Sequence, residues 1–232
     1  MSENNNKQVK SKQRVADHGE VFTSEREVNA MLDLVKQETE RIDSRFLEPA
    51  CGNGNFLAEI LRRKLTVVDS RYGKNQLEWE RYAVLAVSSI YGIDILEDNV
   101  VECRERLLGI FNNKYSSLYK SMCKEECRRS IKFILNHNIL WGDALSLKTP
   151  DSDKPIVFAE WSLINNELKR RDFTLDNLLK GDLQTYNAAR YKSNEIPMFS
   201  DEGDLAFLPT AVAEYPLIHF LKLGEDDDTN QL

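Results

Sequence analysis

The chain has 232 residues, with 31 Lys and Arg against 38 Asp and Glu for a formal charge of −7, 41% hydrophobic residues and a mean hydropathy of −0.49. A chain of this length buries a full core without the disulfide or metal staples that domains below roughly 70 to 80 residues need. No apolar run approaches the roughly 20 residues of a membrane span, Met1 to Lys12 lacks the apolar centre of a secretion signal, and the acidic balance argues against gripping nucleic acid unaided. The expectation is one soluble, cytoplasmic domain over residues 15–223, with a flexible tail at 1–14 and an acidic flexible tail at 224–232. Cys51, Cys103, Cys123 and Cys127 are too few and too unevenly spaced for a disulfide scaffold and read as packing residues.

The first helix is expected over Glu25–Glu40, where Val28, Met31, Leu32 and Val35 form an apolar face and Thr23 or Ser24 can cap it. A short buried strand at Arg45–Leu47 runs into Glu48-Pro49-Ala50-Cys51-Gly52-Asn53-Gly54, and Asn55–Lys64 then reads as a helix, giving strand, glycine turn, helix. A helix over Leu77–Ser89 feeds the buried strand Ile90–Asp94. Helices near Asp98–Phe111 and Tyr115–Leu135 follow, then strands at Asn138–Trp141 and Pro155–Phe158. Such alternation implies an α/β chain with a mainly parallel sheet covered on both faces. Beyond Ser162 the pattern fades, and only Leu217–Leu221 reads as a further strand.

Ligands of open α/β sheets bind at the carboxyl ends of the strands, and a glycine turn there lets backbone approach a ligand closely. Gly52 and Gly54 suit that role, although such a pair also serves as an ordinary tight connection. Asp94, ending the next strand, can accept both hydroxyls of a ribose, or simply cap the helix that follows. Asp143, after Gly142, can accept from an exocyclic amine such as that of adenine. Their order along one sheet edge points to a single adenosine-like ligand.

Gly19-Glu20-Val21-Phe22-Thr23, Phe46-Leu47-Glu48-Pro49-Ala50-Cys51-Gly52-Asn53-Gly54-Asn55-Phe56-Leu57, Tyr91-Gly92-Ile93-Asp94-Ile95 and Gly142-Asp143-Ala144-Leu145 together resemble the cofactor motifs of adenine-specific N6 DNA methyltransferases. The likeness covers roughly residues 15–160 and is nearest to modification subunits of restriction-modification systems, including an insertion before the ribose-binding acid. It implies a Rossmann-like methyltransferase fold and S-adenosyl-L-methionine as cofactor. By that resemblance Thr23 and Glu48 lie near the methionine part, Gly52 and Gly54 beneath it, Asp94 on the ribose and Asp143 on the adenine, with Ala50, Ile95 and Ala144 beside them. DNA is the implied partner, reached through a specificity or companion subunit.

The family's Asn/Asp-Pro-Pro-aromatic catalytic motif is absent, since the six prolines stand at 49, 150, 155, 197, 209 and 216 and no two adjoin. At its place stands Ala159-Glu160-Trp161-Ser162. Glu160 can accept from an amine and Trp161 can stack on a flipped base, or Trp161 packs inward and Glu160 is solvated. The short remainder after Ser162 leaves the sheet incomplete at its C-terminal side, so a catalytically inactive binding or regulatory subunit, or a methyltransferase for another substrate, are the alternatives. Lys169-Arg170-Arg171 and Arg62-Arg63-Lys64 are the compact basic clusters, read as phosphate contacts or as solvated helix faces.

Overall fold

The computed structural model describes residues 8–180 and 210–225. Residues 8–14, expected to be loose, carry structure. Helix α1, Lys12–His18, starts where Ser11 Oγ accepts from Arg14 N at 3.1 Å and ends at Gly19 in the left-handed region. Of the acidic tail expected from Gly224, only Gly224 and Glu225 lie within the described residues.

A reciprocal Ser24–Glu27 capping box starts α2, Glu25–Asp33. The helix expected to run to Glu40 breaks at Leu34 and Val35 and resumes as α3, Lys36–Thr39. Only Val28 and Leu32 of α2 are buried, while Met31, Leu34 and Val35 stay exposed. The break instead turns Thr39 and Ile42 inward. Strand β1, Phe46–Glu48, is followed by α4, Asn55–Tyr72, two turns longer than the charge at Arg62–Lys64 suggests. Its buried stripe, Leu57, Ile60, Leu61, Lys64, Leu65 and Val68, continues at helical spacing straight through that cluster.

Then come α5, Gln76–Ser88, and β2, Ile90–Asp94. Helix α6 spans Glu97–Tyr119 and α7 Glu125–Asn138, and β3 is Ile139–Trp141. Strands β1, β2 and β3 form a parallel sheet in that order, with Leu47 opposite Tyr91 and Ile93 opposite Leu140. Both crossovers step the same way across the sheet, and crossovers of one hand leave their helices on one face. Accordingly α4, α5, α6 and α7 bury their stripes with Ile90 and Ile139 in one core. On the opposite face Tyr91 and Ile93 meet only a small cluster made with Ile156, Phe158 and Leu175. Among the described residues the four long helices thus share one face, and the other is covered by this small cluster, to which the short helix Leu175–Lys180 contributes Leu175.

The strand expected to extend the parallel sheet does not join it. Strand β4, Val157–Ile164, pairs antiparallel with β5, Glu167–Thr174, across the two-residue turn Asn165–Asn166, with Asn165 at φ 56°. A connection that short can only reverse the chain. Helix α8, Leu175–Lys180, follows, and the two-residue strands β6, Ala213–Glu214, and β7, Ile218–His219, complete this second sheet on β5. Tyr91 Oη donates to Ala159 O at 3.1 Å, tying the two sheets together.

Lys64 is fully buried, and its ammonium donates to Ile42 O, Ser44 O and Ser89 Oγ, clamping the loop before β1 onto the start of β2. Burial draws its pKa down from 10.5 to about 7. Between those values the unfolded chain binds a proton that the folded chain does not, so this group makes stability rise with pH across that window. Urea unfolding of the wild type against Lys64→Met, from pH 7 to pH 10, is expected to show a steeper upward slope in the wild type. Equal slopes would mean that Lys64 stays charged in the fold.

Candidate functional site

The connection after β1 bends over the end of β2, where Cys51 N donates to Ile93 O at 2.8 Å. Gly52 and Gly54 both sit in the left-handed region, at φ 52° and 83°, where residues with a Cβ are strained. Their surroundings differ. A Cβ on Gly52 would lie 2.9 Å from the Phe22 ring, and one on Gly54 would lie 2.5 Å from Cys103 Sγ. Gly52 thus admits the Gly19–Thr23 segment, and Gly54, the N-cap of α4, seats the turn against α6.

Asp94, at the tip of β2, is 7% exposed. Its Oδ2 accepts from Gly52 N at 2.7 Å, and its Oδ1 accepts from Leu96 N at 2.9 Å and Asn99 Nδ2 at 3.1 Å. It therefore pins the glycine turn and also helps to open α6, whose N-cap residue Leu96 offers no side-chain bond. A carboxylate has about four acceptor sites. Three are used within the protein, which leaves room for one hydroxyl at Oδ2 rather than for two. At the tip of β3, Gly142 N donates to Asp94 O at 3.0 Å, and Asp143 Oδ1 accepts from Leu145 N at 2.9 Å. That backbone bond holds the Asp143 carboxyl below its usual range.

These tips enclose one cleft of about 550 Å³. Thr23, Glu48, Ala50, Gly52, Asp94, Ile95, Asp143 and Ala144 all line it, so the structure brings together every sequence-expected cofactor residue except Gly54, which is buried beneath it. Among the described residues that line it, four are acidic, Glu20, Glu48, Asp94 and Asp143, and none is Lys or Arg. Burial pushes the Glu48 carboxyl upward against the Ala50 N–H that it accepts. Val21, Ile95 and Leu145 leave exposed apolar surface around the same cleft. Such a site favours a cationic ligand with a flat apolar part.

Glu20 and Asn99 also line the candidate site, and sequence reading did not single them out. Asn99 Nδ2 donates to Glu20 Oε1 at 2.8 Å as well as to Asp94, and Arg14 grips Glu20 through Nε at 2.6 Å and Nη2 at 2.7 Å. Burial raises the Glu20 pKa, but the bonds from Arg14 and Asn99 outweigh it and hold the carboxyl down. No short spacing signals these partners, because Glu20 and Asn99 are 79 residues apart.

Glu160 and Trp161 are not brought to the cleft. Neighbouring residues of a strand face opposite ways. Trp161 is 4% exposed, donates from Nε1 to Asn138 Oδ1 at 2.8 Å and packs against Phe133, so its ring is core and not a platform for a flipped base. Glu160 accepts from Arg45 Nη2 at 2.8 Å and Arg171 Nη2 at 2.5 Å. It lines a separate groove of about 600 Å³ that shares no residue with the cleft. The expected catalytic pair is corrected accordingly.

No protein-family model, curated protein or solved structure matches the chain. No helix among the described residues is long and apolar enough to cross a membrane, and no group of three His, Cys, Asp or Glu side chains among them can hold a metal.

Gly54→Ala combines a left-handed backbone with the overlap on Cys103, and is expected to lower stability by about 2–4 kcal/mol. Denaturant unfolding of the two proteins measures it. A loss below about 0.5 kcal/mol would show that the turn relaxes freely.

Proposed function

We propose that the acidic cleft binds S-adenosyl-L-methionine and that the chain is a cytoplasmic subunit with a Rossmann-like methyltransferase fold, related to the adenine-N6 DNA methyltransferases. In this reading it is the modification subunit of a restriction-modification system and depends on a specificity or companion subunit to recognise DNA. The observation that carries the reading is the convergence of three successive strand tips, one turning through glycine and two bearing Asp94 and Asp143, on one cleft walled by carboxylates and no cations.

The residues present fit the cofactor in charge and size. Its sulfonium and ammonium are cations, which Glu48 favours, and the cleft lies within the roughly 300–1,000 Å³ of small-ligand sites. When bound, S-adenosyl-L-methionine supplies an electrophilic methyl group. Asp94 Oδ2 accepts from a ribose hydroxyl, Asp143 accepts from the adenine amine, and Ile95 and Ala144 flank the ring. Gly52 leaves room for Phe22, so that the Gly19–Thr23 segment can wall the cleft. The chain's part in methyl transfer is positioning.

A second reading, a subunit that binds the cofactor without transferring methyl, is favoured by the burial of Trp161 and the double ion pair of Glu160. With Glu160 outside the cleft, a divergent methyltransferase for another substrate loses the residue offered for it. Titration calorimetry is expected to show S-adenosylmethionine binding that Asp143→Ala weakens at least tenfold. Asp143 is chosen because removing Asp94 would also release Gly52. Absence of heat with well-folded wild type would overturn the reading. Labelled methyl appearing in unmethylated DNA only when a companion subunit is added would support the modification subunit, and binding without transfer under those conditions would select the second reading.

A further inference from the structure

Beside the acidic cleft lies a second chamber of about 380 Å³, and the two share Phe22, Thr23 and Asn55. Its lining includes Arg106 of α6 together with Ser24 and Asn53. Where the cleft has carboxylates and no cation, this adjoining space presents a guanidinium.

Among the described residues Arg106 makes hydrogen bonds only through Nη1, to Asn55 Oδ1 at 2.5 Å and to Asn53 O and Oδ1 at 3.4 Å. It forms no ion pair among the described residues. Arg104, on the same helix, also lacks an acid, but its Nε and Nη2 bond the carbonyls of Asn136 and Ile139. Nothing of that kind uses Nε and Nη2 of Arg106. A guanidinium taken partly out of water without a counter-anion is costly, and such groups are ordinarily paired. Burial draws the Arg106 pKa down and the nearby Arg62 adds to it, against upward pulls from Cys103 and Glu25. Glu102, the one acid lining the chamber, is held by Lys10 Nζ at 2.7 Å. Asn55, which accepts from Arg106, donates through Nδ2 to Thr23 O at 2.8 Å, so the guanidinium is linked to the residue that joins the two spaces.

We infer that Arg106 and the chamber around it hold the carboxylate of an amino-acid-bearing ligand. This rests on the reading of the main cleft as a cofactor site, where the group is the α-carboxylate of the methionine part. The two spaces then divide one zwitterionic ligand by charge, with its cationic centres on the carboxylate wall and its carboxylate on the guanidinium. A planar fork with its Nε–Nη2 edge uncommitted suits a carboxylate geometrically.

The test compares S-adenosylmethionine with 5′-deoxy-5′-methylthioadenosine, which carries the adenosyl part without the amino-acid half, by calorimetry on the full chain. Arg106→Gln is expected to weaken S-adenosylmethionine by about 10- to 100-fold, as loss of a charged hydrogen bond does, and to leave methylthioadenosine within about twofold. Arg106→Lys, which keeps the charge and loses the fork, is expected to show a smaller loss confined to S-adenosylmethionine, and carries the comparison if Arg106→Gln does not fold by circular dichroism. Equal weakening of both ligands, or of neither, overturns the assignment and leaves the cofactor reading standing. Weaker binding of duplex DNA with unchanged S-adenosylmethionine affinity overturns it in favour of a phosphate site. Failure of the wild type to bind either ligand overturns both readings.

Discussion

The Asp94 carboxylate is the joint on which the cleft depends. Through Gly52 N it fixes the turn after β1, through Leu96 N it opens α6, and through Asn99 it reaches Glu20 and Arg14. The glycine turn and the start of α6 are thus registered by one buried anion through their donors, and Asn99 links it to the Arg14–Glu20 pair. A buried carboxylate left short of such donors would be strongly destabilising. Here the local donors are matched closely enough that the strand tip and the turn hold a fixed relation, and preorganisation of that sort is what a ligand site needs.

The part of the fold made of local, periodic signals was legible in the sequence. The buried run Ile90–Asp94, the glycine turn before Asn55 and the stripe of α4 follow directly from apolar spacing and glycine placement. Two of the misreadings arise where charge conceals burial. Lys64 resembles the solvated end of a helix, yet lies in its interior with all three donors used. Lys169-Arg170-Arg171 resembles a helix face, yet belongs to β5, where Arg170 clasps Asp172 and stacks over Tyr215. Within the site, the three tips were readable because each is a short motif. Glu20, Asn99 and Arg106 were not, because their significance lies in contacts between segments far apart in the chain.

The one-sided placement of helices also follows from topology. A three-stranded parallel sheet that grows in one direction packs its crossovers on one face, and its other face needs cover from elsewhere. Here Ile156, Phe158 and Leu175 supply it, at the point where the chain turns into an antiparallel hairpin. The tight Asn165–Asn166 reversal makes β5 run antiparallel to β4, because a parallel neighbour for β4 would require a crossover of a dozen residues or more. It also places Trp161 in the helical core and Glu160 among arginines, well removed from the strand tips that form the cleft.

The sulfur at the floor of the cleft has a chemical consequence of its own. Contact with the Cys103 thiol, together with burial, drives the Cys51 pKa far upward. Oxidants and alkylating reagents attack the thiolate, so a cysteine kept protonated beneath its glycines is a poor target for either. This part of the cleft wall is thereby a poor site for thiol chemistry, even though all four thiols of the chain are unbridged.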